Sequence, residues 1–227
     1  MRLKALLIGD IRFQFKYGFY FLYLIFTILY VGMLYALPAA WRERAAVLMI
    51  FTDPAAMGLY FMGAIVLFEK GERVLDSIAI SPVRPMEYVA SKLLSIALIS
   101  AAVGLLIGYG GKAVPNSLFF APGVFLGSCL FSAVGLMVAA NIATLNQFIV
   151  ATIPAELIIS VPAIAWLFGW KPGFMILHPG ICIIELCQNG ANALPAIFIL
   201  AFWAALSALL ARHVMAKSLR SLGGVKL

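Results

Sequence analysis

Residues 69–92 read EKGERVLDSIAISPVRPMEYVASK, with long apolar runs on either side. The segment carries Glu69, Lys70, Glu72, Arg73, Asp76, Arg84, Glu87 and Lys92. A charged and structured stretch is therefore pinned between two apolar stretches. No other part of the chain is polar enough to serve as a docking surface for a soluble partner.

The runs around it decide the fold class. Of the 227 residues, 64% are hydrophobic and only 11% are charged, with a mean hydropathy of +1.07. A soluble domain of this length has no interior large enough for that much apolar surface. With lipid as the solvent, the spans are helices or a closed barrel. Barrel strands alternate apolar and polar residues, whereas these runs are continuously apolar, which selects helices. Six runs approach the length of a span, at residues 17–37, 54–68, 88–109, 119–140, 148–170 and 193–211. The second is short and gains length from residues 69–80 or 45–52. Asp53-Pro54 reads as a helix start, with Asp as the N-cap and Pro at the first helical position. The fold expected is all-α: one transmembrane domain over 1–227 with six spans, an N-terminal interfacial helix at 1–16, a coupling segment at 69–92 and a broken outer segment at 171–192.

Lys and Arg set the orientation. Arg2, Lys4, Arg12 and Lys16 lie in the N-terminal arm, and Lys70, Arg73, Arg84 and Lys92 in the central segment. Arg212, Lys217, Arg220 and Lys226 lie in the tail. Together these are 12 of the 16 basic residues, and Arg42, Arg44, Lys112 and Lys171 fall in the alternate loops. The positive-inside rule then puts both termini and residues 69–92 in the cytoplasm of a multi-pass protein of the cell (plasma) membrane. The +7 charge reads as a topology signal and an attraction to anionic lipid, with no nucleic acid as partner. The first apolar run is too long for the core of a signal peptide and reads as an uncleaved span. Leu3, Leu6, Leu7 and Ile11 fall mostly on one side of a helix, although Asp10 intrudes. That pattern fits an interfacial helix, the alternative being a frayed basic arm.

Further in, Gly104 and Gly108 form a GxxxG pair, as do Gly123 and Gly127, near the outer ends of spans three and four. Small residues there let helices approach closely. Residues 171–192 are too apolar for an exposed loop and too broken by Pro172, Gly173, Pro179 and Gly180 for a span. Short helices dipping into the outer leaflet fit them. Cys129, Cys182 and Cys187 match no metal or redox spacing and read as apolar filler. His178 and His213 belong to no metal motif and read as structural; His213 follows Arg212 near a helix end, where a cation suits the helix dipole. Glu156 is the carboxylate deep in span five, between Pro154 and Pro162, which are expected to break the helical bonding around it. Two roles stay open for it: a polar group lining a substrate path, or a carboxylate bonded to a neighbouring helix. No nucleotide loop is present, since Gly111-Lys112 is followed by Ala113 instead of Ser or Thr.

The central segment resembles the permease subunits of type-2 ATP-binding-cassette exporters. The features that carry the resemblance are Glu69-Lys70, Val74-Leu75-Asp76, Ser81-Pro82, Arg84-Pro85, Glu87-Tyr88 and Lys92. Within that family the chain is most similar to the fluoroquinolone drug-export permeases, above all over residues 52–77, TDPAAMGLYFMGAIVLFEKGERVLDS. One departure stands out: the family usually has Gly just before the apolar-acidic stretch, where this chain has Arg73, with Gly71 earlier. The resemblance implies a homodimer or heterodimer of permeases in the lipid bilayer, with a separate cytoplasmic ATPase subunit holding ATP and Mg. No cofactor is expected on this chain. It also implies a cargo cavity at the dimer interface near spans one, two and five. Residues 69–92 would couple to the ATPase: Pro82 and Pro85 stop the descending helix, and Glu69, Lys70, Glu72, Arg73, Asp76, Ser81, Pro82, Arg84, Pro85 and Glu87 would line the contact.

The function expected is thus the transport subunit of an exporter for hydrophobic or amphipathic cargo, and not an enzyme. A lipid-modifying membrane enzyme needs a cluster of carboxylates, histidines or metal ligands at a membrane face, and the sequence offers none. A scaffold without transport is the remaining alternative.

Overall fold

A computed structural model describes residues 2–112, 118–188 and 190–222. Residues 113–117, with Ala113, lie outside them, as does Lys226. The described residues are helical nearly throughout. α1 (Arg2–Lys16) is followed by α2 (Phe19–Ala36). Gly18 joins them at φ 79°, a left-handed turn that glycine adopts without strain. α3 (Ala39–Ile50), a π-helical turn (Phe51–Ala55) and α4 (Met57–Gly71) form one rod of 33 residues. The short α5 (Val74–Ala79) turns the chain into α6 (Pro85–Gly110), which is followed by α7 (Phe120–Ala140) and α8 (Leu145–Leu167). A 3-10 turn (Gly173–Leu177) and α9 (Pro179–Gln188) precede α10 (Ala193–Leu222). Among the described residues, six helices are long and apolar enough to cross a membrane. An all-α polytopic membrane protein is what the chain forms.

The second span differs from its sequence reading. Asp53 caps no helix start. The helix begins at Ala39, and Asp53 is buried inside the π turn. Hydropathy cuts the span short because Arg42, Glu43 and Arg44 occupy its first turns. Those turns are nevertheless helical, and the Arg42 guanidinium donates to the carbonyls of Leu34 (3.0 Å) and Leu37 (3.2 Å) at the end of α2. α8 differs too. It runs unbroken through Pro154 and Pro162, with the Thr152 hydroxyl donating to Phe148 (3.1 Å) and Ile149 (2.9 Å) just upstream. α10 carries Arg212, Lys217 and Arg220 well past its apolar run, as a continuous helix that reaches α5.

α7 is the centre of the bundle. It packs against α4, α6 and α10 and is largely buried, while α2, α8 and α10 turn broad apolar faces outward. Close approach at the centre depends on glycine. A Cβ on Gly135 would stand 2.2 Å from the Leu59 carbonyl oxygen, and one on Gly63 would stand 2.0 Å from the Phe148 ring. Of the GxxxG glycines, Gly104 faces Val124 across the α6–α7 seam and Gly108 is buried in α6. Gly123 and Gly127 face another way: they meet Leu186 and Ile183 of α9 instead of span three. Small hydroxyls complete the interior. Ser128 donates to Ser100 at 2.9 Å, and the Tyr23 hydroxyl lies 3.4 Å from the same Ser100 oxygen, joining α7, α6 and α2.

Candidate functional site: a hairpin on a buried charged root

α4 ends at Gly71, and the chain turns through Glu72 and Arg73. Arg73 sits at φ 56°, ψ 25°, the left-handed region. The conformation that the turn demands is the one a glycine at this place would adopt freely, so Arg73 is a strained residue at this turn. α5 follows with Leu75 as its buried contact. The Ser81 hydroxyl donates to the Ile78 carbonyl (2.7 Å) and accepts from the Val83 N–H (3.4 Å), closing the next turn. α6 starts with Pro85 at its first position, and the Glu87 carboxylate accepts the Arg84 N–H at 2.8 Å. That bond satisfies one orphan donor at the helix start. The Arg2 guanidinium ties α1 to the hairpin by donating to the Pro82 carbonyl at 2.7 Å.

The structure divides the sequence-derived contact residues into two groups. Glu72, Arg73, Asp76, Pro82 and Arg84 are exposed at the tip. Glu69 is buried, and Lys70, Ser81, Pro85 and Glu87 are partly buried and used within the fold. Lys70 donates to three carbonyls, Ala139 (2.7 Å), Ala140 (2.8 Å) and Ile142 (3.0 Å), and so caps the C-terminal end of α7. It is a brace within the fold and has no free ammonium to offer a partner. Ile80, which the sequence reading did not single out, is 84% exposed.

Beneath the tip lies a network that the sequence read in pieces. Lys92, on the first turns of α6, is 2% exposed. Its ammonium pairs with Asp10 of α1 at 2.6 Å and with Glu69 of α4. The Tyr88 hydroxyl donates to Glu69 at 2.7 Å, and the Ser91 hydroxyl donates to Asp10. One turn further, the Gln14 amide donates to Ser95 at 2.8 Å. Asp10, which interrupts the apolar face of α1 in sequence, is the residue that fastens that helix to the bundle. Buried ions are tolerated where each finds a partner and further hydrogen bonds, and here all three do. Three elements are thus locked together at the base of the hairpin.

Glu156 is half-buried on α8 and accepts a hydrogen bond from the Tyr60 hydroxyl of α4. Of the two roles left open by the sequence, this geometry supplies the bond between helices. His178 also has a structural bond, to the Ile158 carbonyl at 3.1 Å. The three cysteines are free thiols. Among the described residues no group of His, Cys, Asp or Glu is arranged to hold a metal.

Six apolar helices, a central glycine-packed helix and a charged hairpin rooted in two spans define a multi-pass membrane permease. The chain belongs to the fluoroquinolones export permease protein family, whose model matches residues 1–222. It is similar to two proteins of Mycobacterium tuberculosis, from strains CDC 1551 / Oshkosh and ATCC 25618 / H37Rv, each named as a fluoroquinolones export permease protein. Each is 24% identical over 196 residues, covering 71% of this chain and 81% of the relative. The chain is accordingly a transport subunit of the exporter class.

Proposed function

We propose that this permease is the membrane half of an ATP-driven exporter, energised by a separate ATPase subunit that docks on residues 72–84 and holds the ATP and Mg. The observation that carries the reading is the hairpin's construction. Its tip presents Glu72, Asp76 and Arg84 around an isoleucine that is 84% exposed, a mixture suited to a protein partner. Its root is rigid, because Lys92 joins α6 to α4 and α1 through the buried Glu69 and the partly buried Asp10. A displacement at the tip would therefore reach both spans together instead of being absorbed by a flexible loop.

Both termini and the hairpin face the cytoplasm in this reading, supported by 12 of 16 basic residues on that side. The permease acts as a homodimer or heterodimer in the cell membrane. The cargo is hydrophobic or amphipathic, and a fluoroquinolone-like drug is the first to test, since that is what the named relatives export.

The test is co-purification of the chain with a co-expressed ATPase subunit. Reversal of Glu72 and Asp76 together, or Ile80→Glu, should abolish the complex while insertion and thermal stability stay unchanged. Glu69 is left intact here, because it belongs to the root. An ATPase that still co-purifies with all three tip residues changed would place the docking surface elsewhere.

A further inference from the structure

Asp53 is the buried charge that the exporter reading leaves unused. It sits in the π turn near the middle of the 33-residue rod, so its depth is close to mid-membrane. It is 2% exposed, and neither carboxylate oxygen has a hydrogen-bond partner. Among the described residues, no Lys, Arg or His lies within ion-pair distance of it. The groups within electrostatic reach are Tyr30 and Tyr23 of α2. The Tyr30 hydroxyl is close enough to interact with the carboxylate but lies outside good hydrogen-bond geometry, and that of Tyr23 is turned to Ser100. The backbone is also unusual here. Pro54 lacks an N–H and crowds the preceding turn, and the helix takes up the mismatch as a π turn that carries Asp53 inward. A packing role accounts for none of this: an apolar residue would fill the same place without stranding two oxygens.

We propose that Asp53 is the anchor for a positively charged group of the cargo, a protonated or quaternary amine, flanked by Tyr30 and Tyr23. The carboxylate supplies the counter-charge that the site lacks, and aromatic side chains beside it suit a weakly hydrated cation. Tyr30 is only partly buried, so the site lies just behind the open apolar face of α2, where Ile25, Ile28 and Leu29 are exposed. A cargo moving along that face would bring an ammonium to Asp53 while its apolar body stays against α2. The inference rests on the exporter reading and adds to it the charge class of the cargo.

The experiment uses the full chain in lipid nanodiscs without the ATPase. Equilibrium binding is measured for tetraphenylphosphonium, a permanent cation, and for neutral triphenylphosphine oxide. Asp53→Asn should weaken the cation about tenfold to a hundredfold, the size expected of a lost charge-assisted contact, and spare the neutral probe. Asp53→Glu should retain most of the cation affinity. As a check that needs no variant, dicyclohexylcarbodiimide should label Asp53, read by peptide mass spectrometry, and tetraphenylphosphonium should protect it. Equal cation affinity in the Asn variant would overturn the proposal, and so would labelling without protection, which makes a proton or a water the sole occupant. These outcomes are independent of ATPase co-purification, so the exporter reading and the cation site stand or fall separately.

Discussion

Lys92 and Asp53 are equally hidden, each 2% exposed, yet their surroundings are opposite. Lys92 meets two carboxylates, and those carboxylates take hydroxyl donors from Tyr88 and Ser91. Asp53 meets no cation, only the Tyr30 hydroxyl outside good hydrogen-bond geometry. Burial is thus a poor guide to role in this bundle, and satisfaction is the better one. A fully paired cluster stiffens the place where the hairpin joins the spans. A single carboxylate left open in the middle of a span costs stability and is retained where something else completes it.

The strongest way to break the contrast is to remove the cation at the root. Lys92→Met leaves the buried Glu69 and the partly buried Asp10 without their partner and should cost about 3–5 kcal/mol. Thermal unfolding in detergent, followed by size-exclusion fluorescence, should show a large fall in Tm. Adding Asp10→Asn and Glu69→Gln should recover part of it, and no recovery would mean that the loss came from packing. The opposite sign is expected at Asp53. Asp53→Leu removes two unsatisfied oxygens and should stabilise the chain by about 1–3 kcal/mol in the same assay; a destabilised variant would mean that the carboxylate has a structural partner.

Glu156 lies between these cases, with one neutral donor. Glu156→Leu and Tyr60→Phe should each cost about 0.5–1.5 kcal/mol, and the double variant little more than either alone, since both remove one bond. Additive losses would separate the two residues. The smallest effect is at the turn. Arg73→Gly relieves a left-handed residue and should stabilise by about 0.5–1 kcal/mol, after the entropy cost of glycine is counted, with ATPase co-purification intact. Loss of the complex at normal stability would show that the guanidinium contacts the partner.

Much of the site was legible as composition and much was not. The helical hairpin between spans two and three was readable, because two prolines and a run of charges between apolar stretches leave few alternatives. The division of its charges into root and tip was not. Glu69 and Glu72 are three residues apart and chemically alike, yet one is buried against Tyr88 and the other is exposed. Their difference depends on where α1 and α6 lie, at sequence separations that no local pattern reports. Asp53-Pro54 misled for a related reason: the pair is a good helix start in isolation, but the charged stretch upstream is itself helical, with Arg42 bonded to the carbonyls that end α2.

The sequence by itself determined the solvent, the helical class, six spans and the place of the charged hairpin, because each depends on composition over a window as long as a span. Only the tertiary structure decided which ions are paired. Asp10 finds Lys92 across 82 residues, while Asp53, in a π turn beside a proline, finds no cation. Pairing is a property of distance between helices, and the bundle sets that distance through backbone approaches such as Gly135 on Leu59.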